Sequence, residues 1–182
     1  VTDGENISEL LFVSDKQRIY RTKASDFDTC KASALGDYIP AKLGFEKDEK
    51  AIAMDVDTKF DSKHFVIYIF ENGKGVKLPL SLYETKTPRK KLVAAYSAAS
   101  PIVAAFFVSE NEDIILVSSQ NKAIVINTKL IPEKATRTAG GVTLFTLKND
   151  QTITVASRDI ENFAGSARCK KIKIPASGTA LD

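Results

Sequence analysis

A chain of 182 residues, 43% of them hydrophobic and 27% charged, has the composition of a globular domain large enough to bury a core. Its formal charge of +3, from 26 Lys and Arg against 23 Asp and Glu, is too small to indicate an anionic partner unless the cations are clustered. No apolar run approaches the roughly 18 residues that span a bilayer and no signal peptide opens the chain, so we expect a cytoplasmic location and no membrane partner.

Three windows of equal length align without gaps, at positions 12–27, 68–83 and 116–131. Each window reads as an apolar strand, a polar turn, a second apolar strand and a bulky last residue, which predicts three β-hairpins. The Asn72-Gly73 pair in the second turn predicts a type I′ turn, because that turn needs positive φ at both central positions.

A further pair of apolar segments follows each hairpin after a polar stretch, and we predict that the two segments of each pair form a second hairpin. Pro101 interrupts the Ala-rich segment after the second hairpin, which favours strands over a helix there. The predicted pairs are 39–45 with 51–56, 92–99 with 102–108, and 142–147 with 152–156.

Each unit thus has four strands over roughly 45–55 residues, a length typical of propeller blades. We therefore predict an all-β, β-propeller-like fold of antiparallel four-stranded blades, with about three to four blades in a single domain over 1–182 or in part of one. The predicted units are approximately 7–57, 63–108 and 113–157, with a terminal strand at 168–174.

Cations recur in the polar stretches that link the two halves of each unit. Arg89 and Arg137 occupy the same position, six residues after Tyr83 and Ile131, the last residues of their windows. In a propeller such loops would lie at one radial position and form a discontinuous cationic track for a phosphate backbone, while glycines would let backbone N–H groups approach the phosphates. The candidate phosphate contacts are Lys31, Lys86, Arg89, Lys90, Lys91, Lys134, Arg137, Gly140 and Gly141.

Two alternatives remain open on the residues alone. Basic loops are commonly solvated surface, and glycines before strands are commonly bulges or turns. A propeller can also bind a peptide or another subunit on one flat face, because the fold does not fix the function.

Other chemistry finds little support in the sequence. His64 is the single histidine and lacks a nucleophile motif, so we predict no catalytic residue. The acidic run at 55–61 departs from the calcium-loop pattern, and Cys30 and Cys169 lack metal-ligand spacing, so we predict no metal site and two reduced thiols. The chain begins with Val1 rather than Met, and we therefore expect a fragment or a processed piece of a longer protein.

The segments LGDYIPAKLG, YETKTPRKKLVAAYSAASPIV and TRTAGGVTLFTLK resemble the C-terminal domain of the A subunit of bacterial DNA gyrase and topoisomerase IV, which are type IIA DNA topoisomerases. The resemblance runs from about Ile7 to Val155 and includes a loop that reads Arg-x-x-Gly-Gly-Val. It implies a β-pinwheel, a propeller variant in which neighbouring blades exchange strands, with a basic outer rim that binds and bends duplex DNA without reading base sequence.

The resemblance also implies what this chain lacks. In that family a Tyr in the N-terminal part of the A subunit cleaves DNA with Mg²⁺, and a B-type subunit hydrolyses ATP. We therefore expect a non-catalytic piece without a cofactor of its own, whose partners are duplex DNA, the rest of the A subunit and the B-type ATPase subunit. Its expected location is the bacterial cytoplasm, in association with the nucleoid.

One departure from the gyrase pattern concerns the degree of DNA wrapping. Gyrase carries a box similar to Gln-Arg-Arg-Gly-Gly-Lys-Gly in this kind of loop, whereas residues 136–142 here keep one Arg and two Gly. The missing second Arg and Lys favour a topoisomerase IV-like or divergent gyrase-like subunit over one that wraps DNA tightly; the alternative is that the box lies in a blade missing from this fragment.

Overall fold

The structure, a computed structural model, describes residues 9–23, 48–56, 61, 63–84, 91–148 and 150–181. Within these ranges the chain forms twelve strands and four short 3₁₀ helices, and the predicted all-β, propeller-like fold is confirmed. The strands are β1 Glu9–Ser14, β2 Ile19–Lys23, β3 Ala51–Val56, β4 Phe65–Phe70, β5 Lys74–Pro79, β6 Lys91–Leu92, β7 Ile102–Val108, β8 Asp113–Ser118, β9 Lys122–Asn127, β10 Val142–Thr143, β11 Ile153–Ser157 and β12 Thr179–Ala180.

The strands form three four-stranded antiparallel sheets with a common plan. The strand orders are β3-β1-β2-β6, β10-β5-β4-β7 and β11-β8-β9-β12. Each sheet has a central hairpin, one flanking strand that follows this hairpin in sequence, and a second flanking strand of two residues that comes from further along the chain. β6 and β10 follow the next hairpin, so the sheets exchange strands as a pinwheel does.

Strand exchange corrects the prediction of a second hairpin in the later units. β6 pairs with β2 and β7 with β4, so 92–99 and 102–108 do not pair, and β10 and β11 likewise belong to different sheets. The strand predicted at 92–99 ends at Leu92, because Ala94 has a positive φ of 51° and Tyr96 then turns into the core. The predicted strand 39–45 lies outside the described residues.

The hairpin turns confirm the repeat alignment but correct the turn type. Gln17, Gly73 and Asn121 each occupy the sixth position of their window, and all three have positive φ, at 58°, 82° and 55°. The Gly73 N–H donates to the Phe70 carbonyl over 3.1 Å, while Asn72 has no positive φ. The type I′ prediction is therefore wrong: each turn places one left-handed residue after a tight turn, an arrangement that Asn-Gly also suits.

The middle sheet is buried on both faces. Along β4, Val66, Tyr68 and Phe70 belong to one core cluster, which includes Leu11 of β1, whereas Ile67 and Ile69 belong to a second cluster. The second cluster contains residues of β8 and β9 in the third sheet. Because side chains alternate between the two faces of a strand, the middle sheet is packed between the other two like a blade between its neighbours.

The terminal segment covers the outer face of the third sheet. Cys169 is fully buried against Val117 and Val125, at the end of the 3₁₀ helix Ser166–Cys169. The strand predicted at 168–174 is therefore wrong. Residues 172–175 lie in no strand, Ile172 is 84% exposed, and the strand that completes the third sheet is β12.

Candidate nucleic-acid interface

The candidate phosphate contacts divide into two groups. Lys31, Lys86, Arg89 and Lys90 lie outside the described residues. The other five lie on or before the exchanged strands β6 and β10, and these are Lys91, Lys134, Arg137, Gly140 and Gly141.

The backbone holds residues 133–141, which we call the 133–141 connector, along the middle sheet. Glu133 forms a parallel bridge with Lys77 of β5, and the Lys134 N–H donates to the Lys77 carbonyl over 3.0 Å. The connector then enters β10, where Val142 pairs with Gly75. Two fixed points, one at each end, thus determine where its cations lie.

Arg137 is anchored on an aromatic ring. Its guanidinium carbon is 6.0 Å from the centre of the Tyr83 ring, at the outer limit of a cation–π contact. The Tyr83 hydroxyl donates to the Ala95 carbonyl over 2.6 Å and lies 2.9 Å from the Tyr68 hydroxyl, and burial raises the pKa of Tyr83 above its ordinary value. The ring is therefore a fixed support, and Arg137 is half-buried rather than free in solvent.

The two glycines of the connector differ in their surroundings. Gly141 has φ of 76°, and a Cβ atom there would lie 2.6 Å from the Gly75 carbonyl carbon, so the close approach of β10 to β5 itself requires glycine. A Cβ atom on Gly140 would meet nothing within 4 Å, and this residue is open to solvent. A phosphate contact at the backbone of Gly140 therefore stays a prediction. Gly141, by contrast, is required by the packing of β10 against β5.

Lys91 is exposed and opens β6, beside Tyr20 of β2, with its Nζ 5.9 Å from the Tyr20 ring centre. Leu92 pairs with Ile19 just as Val142 pairs with Gly75, and Ile19 and Gly75 both occupy the eighth position of their windows. In the sequence, Arg89 comes three residues before Leu92, whereas Arg137 comes five residues before Val142. The two arginines are therefore equivalent when counted from the preceding hairpin, but not when counted from the exchanged strand.

A second repeated cation, which the sequence analysis missed, occupies the first position after each hairpin turn. Arg18, Lys74 and Lys122 form this column, at the seventh position of the three windows. Lys74 and Lys122 are exposed and pair with Thr143 of β10 and Ala180 of β12, in the exchanged strands. Arg18 Nη1 lies 3.1 Å from the buried Glu49 carboxylate, which ties it to the fold. The gapless alignment of the windows already contains the column and could have revealed it.

The described ranges contain few other chemical features. No helix in them is long and apolar enough to cross a membrane. Asp61 accepts hydrogen bonds from the backbone of Lys63 and His64 and lies 2.8 Å from His64 Nδ1, and the hydrogen bond with His64 lowers the pKa of Asp61. His64 is thus engaged by a neighbour just before β4.

Comparison with known proteins agrees with this arrangement of strands and turns. The family model described as "DNA gyrase C-terminal domain, beta-propeller" matches residues 8–36 and 112–157, which include the first and third hairpins. The resemblance to the gyrase A C-terminal domain is confirmed. The family match ends at Ser157, so it does not include the terminal segment.

Curated relatives are gyrase A proteins of much greater length. The DNA gyrase A protein of Streptomyces coelicolor is 25% identical over 122 residues, which cover 63% of this chain and 14% of the relative. The chloroplastic/mitochondrial DNA gyrase A protein of Arabidopsis thaliana is 24% identical over 151 residues, covering 83% of this chain and 16% of the relative. The chain therefore spans about a seventh of the length of these relatives.

Solved structures show the same fold. The C-terminal domain of DNA topoisomerase IV superposes with a TM-score of 0.67 at 17% identity, over 83% of this chain and 47% of the other. The E. coli ParC C-terminal domain superposes with a TM-score of 0.64 at 10% identity, over 98% of this chain and 81% of the other. At these identities the likeness establishes the architecture, and the function has to be argued from the site.

Proposed function

We propose that this chain binds and bends duplex DNA for a type IIA topoisomerase of the gyrase and topoisomerase IV type. The observation that carries the proposal is the repeated placement of cations beside the exchanged strands. Lys74 and Lys122 occupy the same column in the middle and third sheets. Lys134 and Arg137 lie on the 133–141 connector, which joins these two sheets. Stacked sheets present such positions in series, which suits a polyanion that runs past several blades.

Binding in this proposal is electrostatic and independent of base sequence. Lys and Arg side chains displace the counterions condensed on DNA, and contacts to phosphates position the duplex without reading its bases. Bending a site of 20–30 base pairs costs on the order of 1–6 kcal/mol, which added phosphate contacts at the curved edge offset. The chain holds DNA, and the cutting and rejoining of strands take place elsewhere in the parent enzyme.

The remaining assignments also belong to this proposal. The chain is a non-catalytic part of an isomerase whose Mg²⁺ and ATP serve other segments, and it needs no cofactor itself. Its partners are duplex DNA, the rest of the A subunit and a B-type ATPase subunit, in the bacterial cytoplasm at the nucleoid. Lys31, Lys86, Arg89 and Lys90, which lie outside the described residues, belong to the proposal as further phosphate contacts.

A titration with nonspecific duplex DNA at a series of salt concentrations tests the proposal. If about five phosphates are neutralised, the logarithm of the association constant should fall against the logarithm of salt concentration with a slope of about −4 to −6. Duplexes of unrelated sequence should give the same affinity. A flat salt dependence, or binding confined to one base sequence, would overturn the proposal.

A further inference from the structure

The terminal segment repeats the backbone contacts of the 133–141 connector on the next sheet. Lys170 forms a parallel bridge with Val125, as Glu133 does with Lys77. The Lys171 N–H donates to the Val125 carbonyl over 2.8 Å, as the Lys134 N–H donates to that of Lys77 over 3.0 Å. Lys77 and Val125 are both the tenth residue of their windows, so they are the same position of successive hairpins.

The correspondence continues through the exchanged strands. Thr179 pairs with Ala123 as Val142 pairs with Gly75. The Leu181 N–H then donates to the Asn121 carbonyl over 3.1 Å, matching the 2.9 Å bond from Leu144 to Gly73. The offset between the two segments is constant, so KATRTAGGVTL at 134–144 aligns without a gap with KIKIPASGTAL at 171–181.

A glycine occupies the crowded position in both segments. Gly178 falls on Gly141 in this alignment, and a Cβ atom on Gly178 would lie 2.5 Å from the Phe145 ring and 2.8 Å from Lys122 Cβ. The terminal segment is therefore a connector and an exchanged strand for the third sheet, supplied by the chain's own last residues. We call residues 170–178 the terminal connector.

The terminal connector is more basic than the 133–141 connector. Lys170, Lys171 and Lys173 give it a net charge of +3, whereas Glu133, Lys134 and Arg137 leave the other at +1. Ile174 takes the place of Arg137 and packs against the second core cluster, while the preceding Lys173 is exposed.

Its lysines hold weak or local interactions only. Lys170 Nζ is 3.5 Å from Asp113 Oδ2, and its side chain is 64% exposed, so this ion pair contributes little. Lys171 Nζ donates to Thr179 Oγ1 over 3.0 Å and helps to orient the segment. Lys170 and Lys173 therefore remain accessible to a polyanion.

We propose that the terminal connector is a phosphate-binding element of the DNA-binding rim that Lys74, Lys122, Lys134 and Arg137 form, with Lys170 and Lys173 contacting the phosphodiester backbone of duplex DNA. This inference rests on the proposed function and adds an element that the sequence analysis had assigned to a terminal strand. Because the segment carries the larger positive charge, it makes a greater contribution to binding than the 133–141 connector.

The test compares variants of the full chain in DNA titrations at several salt concentrations. K170A/K173A should reduce the magnitude of the salt slope by about 2, since each lost phosphate contact removes about 0.9. The charge-preserving K170R/K173R variant should restore the slope. K50A/K63A removes the same charge from exposed lysines outside the connectors and should leave the slope unchanged.

The outcomes separate this inference from the proposed function. If K170A/K173A binds DNA like the unmodified chain while K74A/K122A binds more weakly, the terminal connector does not contact DNA and this inference fails, whereas the proposed function is retained. If K50A/K63A weakens binding as much as K170A/K173A, the effect reflects net charge and the inference fails. If the unmodified chain shows no salt-dependent binding, the proposed function fails and this inference with it. Equal melting temperatures establish that all variants are folded.

Discussion

The 133–141 connector and the terminal connector use one backbone plan with different side chains. Both begin beside the tenth residue of a hairpin window, and both have a glycine where they approach the second strand of that hairpin closely. A two-residue strand and a leucine follow each connector. Between these points the cations occupy different positions. In the 133–141 connector Arg137 contacts the Tyr83 ring, whereas in the terminal connector Lys173 is exposed and lies one position earlier in the alignment. The comparison separates residues that build the exchange from residues that face solvent, and mutations should do the same.

The largest effect is expected at Gly141. Gly141→Ala forces a Cβ atom to within 2.6 Å of the Gly75 carbonyl carbon at a φ of 76°, and backbone cannot move aside as a side chain can. We expect a loss of about 3–5 kcal/mol in the free energy of unfolding, measured by urea denaturation.

Two glycines serve as controls for that variant. Gly178→Ala meets the buried Phe145 ring and Lys122 Cβ, but Gly178 has no positive φ and the clash is not with a backbone carbonyl, so its cost should be smaller, about 1–3 kcal/mol. Gly140→Ala meets nothing within 4 Å and should change stability by less than about 1 kcal/mol. Equal effects at Gly140 and Gly141 would contradict the account of strand exchange.

Leucines that follow the two exchanged strands should differ in the same sense. Leu144 is fully buried in the second cluster, between the middle and third sheets, whereas Leu181 is only partly covered and packs against the third cluster. Leu144→Ala should cost about 2–5 kcal/mol in unfolding free energy, and Leu181→Ala about 1 kcal/mol. The reverse order in thermal denaturation would mean that the terminal segment, and not β10, holds its sheet together.

Local features of this fold were readable from the sequence. The hairpins were predicted because apolar alternation and polar turns are short-range signals, and the left-handed turn residues fall at one position of the three aligned windows. Asn72-Gly73 misled only on the turn type, since one positive φ at Gly73 satisfies the pair as well as two.

Long-range features were not readable in this way. β6, β10 and β12 have two residues each, too few for a periodic pattern, and Lys91 pairs with Tyr20 from a distant part of the sequence. The two connectors share only four of eleven residues: the lysine, alanine, glycine and leucine at their first, sixth, eighth and eleventh positions. The family resemblance implies the strand exchange, whereas its repetition in the terminal segment is visible only in the backbone pairing.

Arg137 should act on both stability and binding, which distinguishes it from the lysines. Arg137→Ala removes the cation from the Tyr83 ring and should cost about 0.5–1 kcal/mol in unfolding free energy as well as a DNA contact. Lys173→Ala, by contrast, should leave the melting temperature unchanged because its side chain is exposed.

The control for Arg137 is a charge-preserving change. Arg137→Lys keeps the cation near the ring and should recover most of the salt slope in a DNA titration, with stability between the other two forms. Loss of stability with unchanged DNA binding in Arg137→Ala would show that the guanidinium serves the fold alone, and the rim would then have to be built from lysines.

A similarly small effect on stability, together with a clear effect on binding, is expected at Lys74 and Lys122 in the column after the hairpin turns. Lys74 and Lys122 are exposed, so K74A/K122A should leave the free energy of unfolding within about 0.5 kcal/mol of the unmodified chain. The same variant should lower the magnitude of the salt slope by about 2, because both lysines lie on the surface beside exchanged strands.

Arg18 shares the column but is paired with buried Glu49, so Arg18→Ala should destabilise the first sheet instead. If Lys74 and Lys122 behave like Arg18, the column is a structural element of the hairpins and the phosphate contacts must come from the connectors alone.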